Sequence, residues 1–508
     1  MTDSIDTKKT ALDRRSLLGR SAAVVGGVAA SQMLLARPVR AQGKPTKSAG
    51  ANKGFTLSAM GEAMVGRRFA ADDNPEFLAL VKQLRESDVG YCHLETNLAD
   101  DDELSYAPRG SAGASGYLVT DGDTAKDFAW AGIDVMSTGM NHSFDWGPEG
   151  ILATIRHCHD AGIACAGTGK NLEVARAPAY FMNEKGRMAM VSVSSGNSPF
   201  EWAGLPKGAV PGRPGVNPLR VLTTIEVPKA AADQMKDTAQ KAGIMSKAAA
   251  AKPNFTMGGG AVSGSNGFSG TQFAEGTEYA IHSQSHPADL KGNLRSVAEA
   301  RAQADYVMVA HHNSTSEGAR SQDPSEFVVD FARKSIDAGA DVYFGHGWHS
   351  FVGIEIYKGK PIIYGMGSMF VQSNFMSRVP ADQYESYGFD MDQLTTFNMA
   401  SENLHPGGGS DWGWSALYQL RYDNNLLQGR SKLVEIVLYP VECGWDYSQN
   451  PPKKYRVVGV GDHEYVAGSP RLATGASGAK ILEMLKAVNA RRNTAMTIRN
   501  GVGVITVA

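Results

Sequence analysis

Cysteine is scarce in this chain: four residues in 508, at positions 92, 158, 165 and 443. No two of them form a Cys-x-x-Cys pair, which excludes zinc-ribbon and thioredoxin-type motifs. An oxidising compartment permits a Cys158–Cys165 bridge, whereas buried thiols acting as small apolar side chains need none. Basic charge is not in excess either, with 50 Lys and Arg against 52 Asp and Glu. A nucleic-acid footprint needs a basic patch, and none is visible. Beyond residue 41, no segment is long and apolar enough to span a membrane. What is present is ordinary for a globular protein: 42% hydrophobic and 20% charged residues, enough to bury a large core. The length allows two or three domains, or one large α/β domain with insertions.

The first 41 residues differ in character from the rest. The pair Arg14-Arg15 precedes Ser16-Leu17-Leu18, then a mild Ala/Gly/Val-rich stretch that contains Arg20 and ends at Val39-Arg40-Ala41. Such a segment resembles a twin-arginine (Tat) export signal with a small-residue cleavage site. Its apolar part is too short and too weak for a stable span. Residues 1–41 are therefore expected to be a Tat-type signal peptide, with the Tat translocase as partner and a periplasmic or extracellular destination. Their removal takes seven of the 50 basic and three of the 52 acidic residues, leaving 43 against 49 and a net charge of -6.

From residue 54, short β-like runs alternate with amphipathic helical stretches. Strands are expected at 55–60, 88–93, 133–136, 163–166, 187–193, 305–310, 342–344 and 354–357, and helices at 75–86, 149–161 and 326–338. The alternation argues for an α/β core. Two hairpins, 354–357 with 361–364 and 415–422 with 433–439, make the later part of the sheet partly antiparallel. Residues 204–300 look inserted, with a Lys/Ala-rich helix at 227–251 and a Gly/Ser-rich run at 257–270.

Polar residues fall in a pattern along these runs. Glu62 follows the first strand, Glu95 and Asn97 the second, and Asn141 and His142 the third. His311 and His312 follow a later strand, and His346 and His349 the next. Ligands collect at the carboxyl ends of strands in α/β sheets. Mixed oxygen and imidazole donors suit Zn, Mn or Fe better than Ca or Mg. One or two divalent ions are the expected cofactor.

Seven stretches carry a resemblance: MGEAMVGRRF (60–69), HLETNL (93–98), AGIDVMSTGMNHSFDWGPEGILATI (131–155), AGIACAGTGKNLEVARAPAYF (161–181), GRPGVNPLR (212–220), DYVMVAHHN (305–313) and AGADVYFGHGWHSFVGIEIYKGKPIIYGMGSMF (338–370). Together they resemble the capsule-synthesis CapA (poly-γ-glutamate biosynthesis) family, itself similar to calcineurin-like metallophosphoesterases. The resemblance implies a metallophosphatase-like α/β fold, a four-layer sandwich of two mixed sheets flanked by helices. It implies a linker at 42–53, a CapA-like domain over 54–375 with the insertion at about 204–300, and a C-terminal extension, 376–508, completing the same fold.

It also implies roles. Glu62 stands where the family usually has the Asp of a Gly-Asp motif. Glu95 takes the place of a bridging carboxylate, and Asn141-His142 matches the Asn-His pair of metal ligand and proton donor. Asp145 is then the residue that orients His142. His312 aligns with the single family histidine. In GHGWH, Gly347 takes a position that is often His, so His346 stands in beside His349. Glu62, Glu95, Asn141, His312, His346 and His349 are thus the expected metal set, and His142 with Asp145 the catalytic pair. The function implied is a metal-dependent hydrolase acting on a phosphoester or a γ-glutamyl amide in an envelope polymer or a small molecule. The alternative is a non-catalytic binding or accessory component of polyglutamate or capsule synthesis and export.

Overall fold

A computed structural model of the chain describes residues 39–40, 54–108, 117–256, 272–313, 323–373, 376, 378–387, 413–424, 426, 431–443 and 468–507. The expected signal peptide, apart from Val39 and Arg40, and the Gly/Ser-rich run at 257–270 lie outside these residues.

Two sheets face each other. The larger runs Thr497–Arg499, Val502–Thr506, Leu433–Glu442, Trp414–Tyr422, Thr56–Met64, Val89–Leu94, Val135–Ser137, Ala164–Ala166, with Ser368–Val371 alongside Thr56–Met64 and Arg471–Leu472 alongside Leu433–Glu442. Its half from Thr56–Met64 to Ala164–Ala166 is parallel, and its C-terminal half is antiparallel. The second sheet runs Val39–Arg40, Ala179–Asn183, Gly186–Ser194, Tyr306–His312, Val342–His346, Lys360–Ile363, Ile354–Tyr357. Its central strands are parallel as well. Val39 and Arg40, placed by the sequence in the signal peptide, pair with Phe181 and Met182 at the edge of this sheet.

Side-chain alternation in the strands builds the layers. Leu57, Ala59, Tyr91 and Val135 of one sheet meet Met188, Met190, Met308, Ala310, Val342 and Phe344 of the other in a shared core. Their chain neighbours point outward. Cys92, Leu94 and Met136 pack under helices Pro75–Glu86, Thr124–Ala131 and Gly147–Asp160. Val191, Val309 and Tyr343 pack under helices Pro287–Gln303 and Glu326–Asp337. The result is helix, sheet, sheet, helix, the four-layer sandwich of two mixed sheets flanked by helices that the resemblance implies. The start of Pro75–Glu86 is set locally: the Asn74 side chain accepts from the Phe77 N–H at 3.0 Å, and Pro75 takes the first helical position.

The insertion is smaller than its sequence suggested. Val221–Pro228, Asn254–Thr256, Gln272–Gly276 and Ala280–Ser285 form a separate sheet over helices Lys229–Lys241 and Lys247–Ala250, with Val227, Phe255 and Phe273 in its own core. The expected helix at 227–251 starts two residues late, because Val227 and Pro228 end a strand, and it breaks between Lys241 and Lys247. Helix Pro287–Gln303 packs on the main sheet through Val297 and Ala300. The extra sheet therefore hangs between two elements of the core.

The outer layer of the second sheet generates one prediction. Phe331, on helix Glu326–Asp337, is fully buried with its ring 6.3 Å from that of Tyr343. Phe331→Ala is expected to lower stability by about 3–5 kcal/mol through lost burial and a residual cavity. Urea unfolding of the two proteins side by side measures it, and an unchanged midpoint contradicts this packing.

Candidate metal and catalytic site

The first carboxylate is aimed by a break in the strand. Along Thr56–Met64, Leu57 and Ala59 face the inter-sheet core, so Glu62 is due to face outward with Met60. The pairing shifts between Met60 and Glu62 on one side and between Glu62 and Ala63 on the other. Ala63 then joins Met60 in the outer core, and Glu62 turns inward. Such a bulge needs a small residue beside it: a Cβ on Gly61 falls 1.6 Å from the Gly367 carbonyl oxygen. The second carboxylate needs no break. Tyr91, His93 and Glu95 share the inner face of one strand and its end, by simple period-two alternation.

The opposing sheet contributes by the same rule. His312 follows Met308 and Ala310 on the inner face, and His346 follows Val342 and Phe344. His311 points the other way, beside Phe327 and Phe331, with Nδ1 2.7 Å from the Tyr343 hydroxyl and Nε2 2.7 Å from Ser195 Oγ. His311 is thereby a core residue. His349 sits in the turn after His346 in a left-handed conformation, φ 50°. Non-glycine residues hold such a conformation at a cost of order 1–3 kcal/mol when the surroundings fix it. Its Nε2 lies 3.7 Å from Glu95 Oε1, and its Nδ1 is 3.2 Å from Ser368 Oγ. His312 Nε2 lies 4.0 Å from the same Glu95 oxygen. His346 Nδ1 lies 3.9 Å from Glu62 Oε1.

The two departures at 62 and 347 meet each other. The Gly347 N–H donates to Glu62 Oε1 at 2.5 Å. Gly347 has φ 98°, and a Cβ there falls 2.4 Å from the Asn313 carbonyl oxygen. A side chain at 347 would thus be strained and would crowd the Asn313 backbone.

Asn141 and His142 open a short 3-10 turn, Asn141–Phe144, after strand Val135–Ser137. His142 Nδ1 lies 2.7 Å from Asp145 Oδ2, which also accepts the Leu118 N–H at 2.8 Å. A carboxylate only accepts, so the His142 proton there is on Nδ1 and Nε2 is left for chemistry. Asn97 is a scaffold: its Nδ2 donates to the His142 and Leu118 carbonyls at 2.8 and 3.1 Å.

Electrostatics set this cluster apart from an ordinary core. Glu62 and Glu95 are buried, and Glu62 Oε2, Glu95 Oε2, Asn141 Oδ1 and His346 Nδ1 are buried atoms without a hydrogen-bond partner. Burial pushes the Glu62 carboxyl up to about 7, against the opposing effect of the Gly347 and His349 backbone N–H groups. Glu95 is raised well above its usual range by burial first and then by the Glu62 and Asp145 charges. Burial holds His93, His312 and His346 well below the usual histidine range, and His349 down to about 3. Neutral imidazoles and carboxylates that lack a counter-charge are the donor set a divalent cation satisfies. The residues present therefore fit the implied metal.

Of the residues expected from the sequence, Glu62 lies within 4.0 Å of His346, and Glu95 within 4.0 Å of His312 and His349, while Asn141, His142 and Asp145 lie in the turn that follows Val135–Ser137. The sequence reading missed His93, Tyr91 and Ser137. His93 Nε2 is 2.9 Å from His312 Nδ1, and its ring stacks on His346 with centroids 4.3 Å apart. Counting back by twos from Glu95 finds both His93 and Tyr91. A separate group, Asp100, Glu103 and His157, also brings possible ligand atoms within 4.8 Å of one another. Its hydrogen bonds, Asp100 N–H to Glu103 Oε2 and His157 Nε2 to the same oxygen, both 2.8 Å, account for it as a helix cap.

The Glu62 environment predicts a pH-dependent trade. In metal-free protein, its raised carboxyl favours the folded state fully below pH 4.5, and this support fades as pH rises to about 7. Glu62→Gln has no such charge to bury. Chelator-treated Glu62→Gln is expected to gain stability over wild type between pH 5 and pH 8, while retaining less metal when purified without chelator. A constant stability difference across that range contradicts the assignment.

Comparison with known proteins places this geometry. A profile of the family described as bacterial capsule synthesis protein PGA_cap matches residues 56–373. An uncharacterized protein of Sinorhizobium fredii is similar at 30% identity over 457 residues, covering 89% of this chain and 93% of that protein. The PGA biosynthesis protein CapA of Bacillus subtilis is 29% identical over 119 residues, 23% of this chain and 30% of its own. A solved structure described as a novel phosphatase from Mycoplasma pneumoniae overlaps 77% of this chain and 94% of its own, at 9% identity and a TM-score of 0.35. The family profile spans the strands that carry Glu62, Glu95, Asn141, His142, Asp145, His312, His346 and His349, and on that match the chain belongs to the bacterial capsule synthesis PGA_cap family.

Proposed function

We propose that this chain is an exported, metal-dependent hydrolase that cleaves a phosphoester or a γ-glutamyl amide bond in capsule or envelope polymer metabolism. One observation carries the reading: Glu62 and Glu95 are each buried with an unpartnered oxygen, Glu62 within 4.0 Å of His346 and Glu95 within 4.0 Å of His312 and His349, while the Asp145 charge acts on Glu95 and the His142 charge on His312 and His349. Glu62, Glu95, Asn141, His312, His346 and His349 would hold the metal. A bound divalent cation supplies positive charge that polarises a phosphoryl or acyl oxygen and activates water.

The remaining work falls to the chain itself. Asp145 fixes the His142 ring through Nδ1, and the Leu118 N–H fixes Asp145. As an imidazolium, with Nδ1–H held by Asp145, His142 would carry a second proton on Nε2 and hand it to a departing alkoxide or amine, which leaves the ring neutral with its remaining proton on Nδ1. Export draws support from the twin-arginine segment at 14–15 and from the small-residue site at 39–41. Among the described residues, no helix is long and apolar enough to cross a membrane. The name of the Bacillus subtilis relative, a PGA biosynthesis protein, favours a capsule polymer or its precursor as substrate.

Assays of metal-loaded protein on phosphoesters and γ-glutamyl amides test the proposal. His142→Ala is expected to lower kcat by about 10²–10⁴-fold with metal content unchanged. Asp145→Asn is expected to lower activity by about 10–100-fold, because the ring loses its anchor. Metal-loaded protein that turns over neither substrate class contradicts the hydrolase reading and favours the accessory role, binding polymer without cleaving it.

A further inference from the structure

Five buried groups run in a line between the two sheets. His346 Nε2 is 2.7 Å from the Tyr91 hydroxyl, and Tyr91 is 2.8 Å from Ser137 Oγ. Ser137 Oγ is 2.7 Å from His93 Nδ1, and His93 Nε2 is 2.9 Å from His312 Nδ1. Tyr91, Ser137, His93 and His346 are fully buried, and His312 is 1% exposed. The two free ends face the two carboxylates: His346 Nδ1 lies 3.9 Å from Glu62 Oε1, and His312 Nε2 lies 4.0 Å from Glu95 Oε1.

Counting protons constrains the line. Each of the five groups, when neutral, carries one mobile proton. Four hydrogen bonds use four of them. The fifth proton sits at one end or the other. In one direction, His312 Nδ1–H donates to His93, His93 Nδ1–H to Ser137, Ser137 to Tyr91, and Tyr91 to His346. His312 Nε2 is then a bare lone pair and His346 Nδ1 carries hydrogen. In the other direction every bond reverses, and so do the two ends. A line with both ends bare carries a net negative charge inside a dry core, and one with both ends protonated carries a positive charge. Burial disfavours both.

We propose that this hydrogen-bonded line couples the two ends of the metal site, so that when His312 offers its lone pair to a metal beside Glu95, His346 is turned into a hydrogen donor facing Glu62. The inference rests on the metal reading above and extends it to Tyr91, Ser137 and His93 as positioning residues. The Glu95 end is the stronger, because His349 Nε2 converges on the same Glu95 oxygen at 3.7 Å. Glu62 Oε1 is instead engaged by the Gly347 N–H. Glu95, His312 and His349 would therefore hold the first metal ion, closing in on it from their present positions. A second ion, at Glu62 and His346, would then meet a ring nitrogen that carries hydrogen.

Zinc titration of metal-free protein, followed by calorimetry and by nitrogen-15 spectra of labelled histidines, tests this. Wild type is expected to bind the second equivalent at least roughly tenfold more weakly than the first. The first equivalent is expected to shift the His346 ring to the Nδ1–H tautomer. Tyr91→Phe cuts the line with little change of shape, and is expected to leave the His346 tautomer unresponsive to the first zinc and to bring the two affinities together. Ser137→Ala cuts the same line from the other side, and is read the same way if Tyr91→Phe fails to fold. Two equivalents of equal affinity in wild type, with His346 unchanged, overturn this inference and leave the metal site standing. The same coupling in both cut variants overturns it too. Wild type that takes up no zinc overturns the metal reading and this inference together.

Discussion

Two carboxylates without a counter-charge, enclosed between two sheets, are the constraint on which the rest of this structure turns. A folded chain ordinarily avoids burying Glu62 and Glu95 with an oxygen unpaired on each. The surroundings do not relieve them, since the nearest rings are histidines held neutral by the same burial. The cluster makes physical sense as a set of donors for a cation that brings the missing charge. A core optimised for stability alone favours apolar residues at these positions.

The fold makes that concentration of donors possible by a single repeated device. Parallel strands end at one edge of the sandwich, and alternation sends every second side chain inward. Tyr91, His93 and Glu95 arrive on one strand, His312 and His346 on two others, and Ser137 on a fourth. Glu62 is the exception that needs a bulge, and Gly61 supplies the room for it. Glu62 Oε1, once turned inward, accepts from the Gly347 N–H.

Much of this was legible before the structure. Strand ends and the helices expected at 75–86 and 326–338 followed from apolar runs and from where polar residues interrupt them, the second helix ending one residue early at Asp337, while the choice of site residues, Asp145 above all, came from the family resemblance. The inserted sheet was legible only as a change of composition, because Lys and Ala do not reveal where the Val221–Pro228 strand gives way to the Lys229–Lys241 helix. His93 was hidden for a different reason. It lies inside a strand that reads as core, and its role depends on His312 and Ser137, which are 219 and 44 residues away in sequence. The resemblance chose His312 over His311 and left the role of His311 uncertain. Period two, anchored on Met308 and Ala310, gives the physical reason and turns His311 into the outer core.

The most direct measurement of the central claim is the metal content of the full chain, purified without chelator and analysed by elemental spectrometry. The account predicts one or two equivalents of Zn, Mn or Fe, reduced in Asn141→Ala and His349→Ala variants that remain folded. A well-folded wild-type protein that stays metal-free, even after incubation with each of these ions, contradicts it.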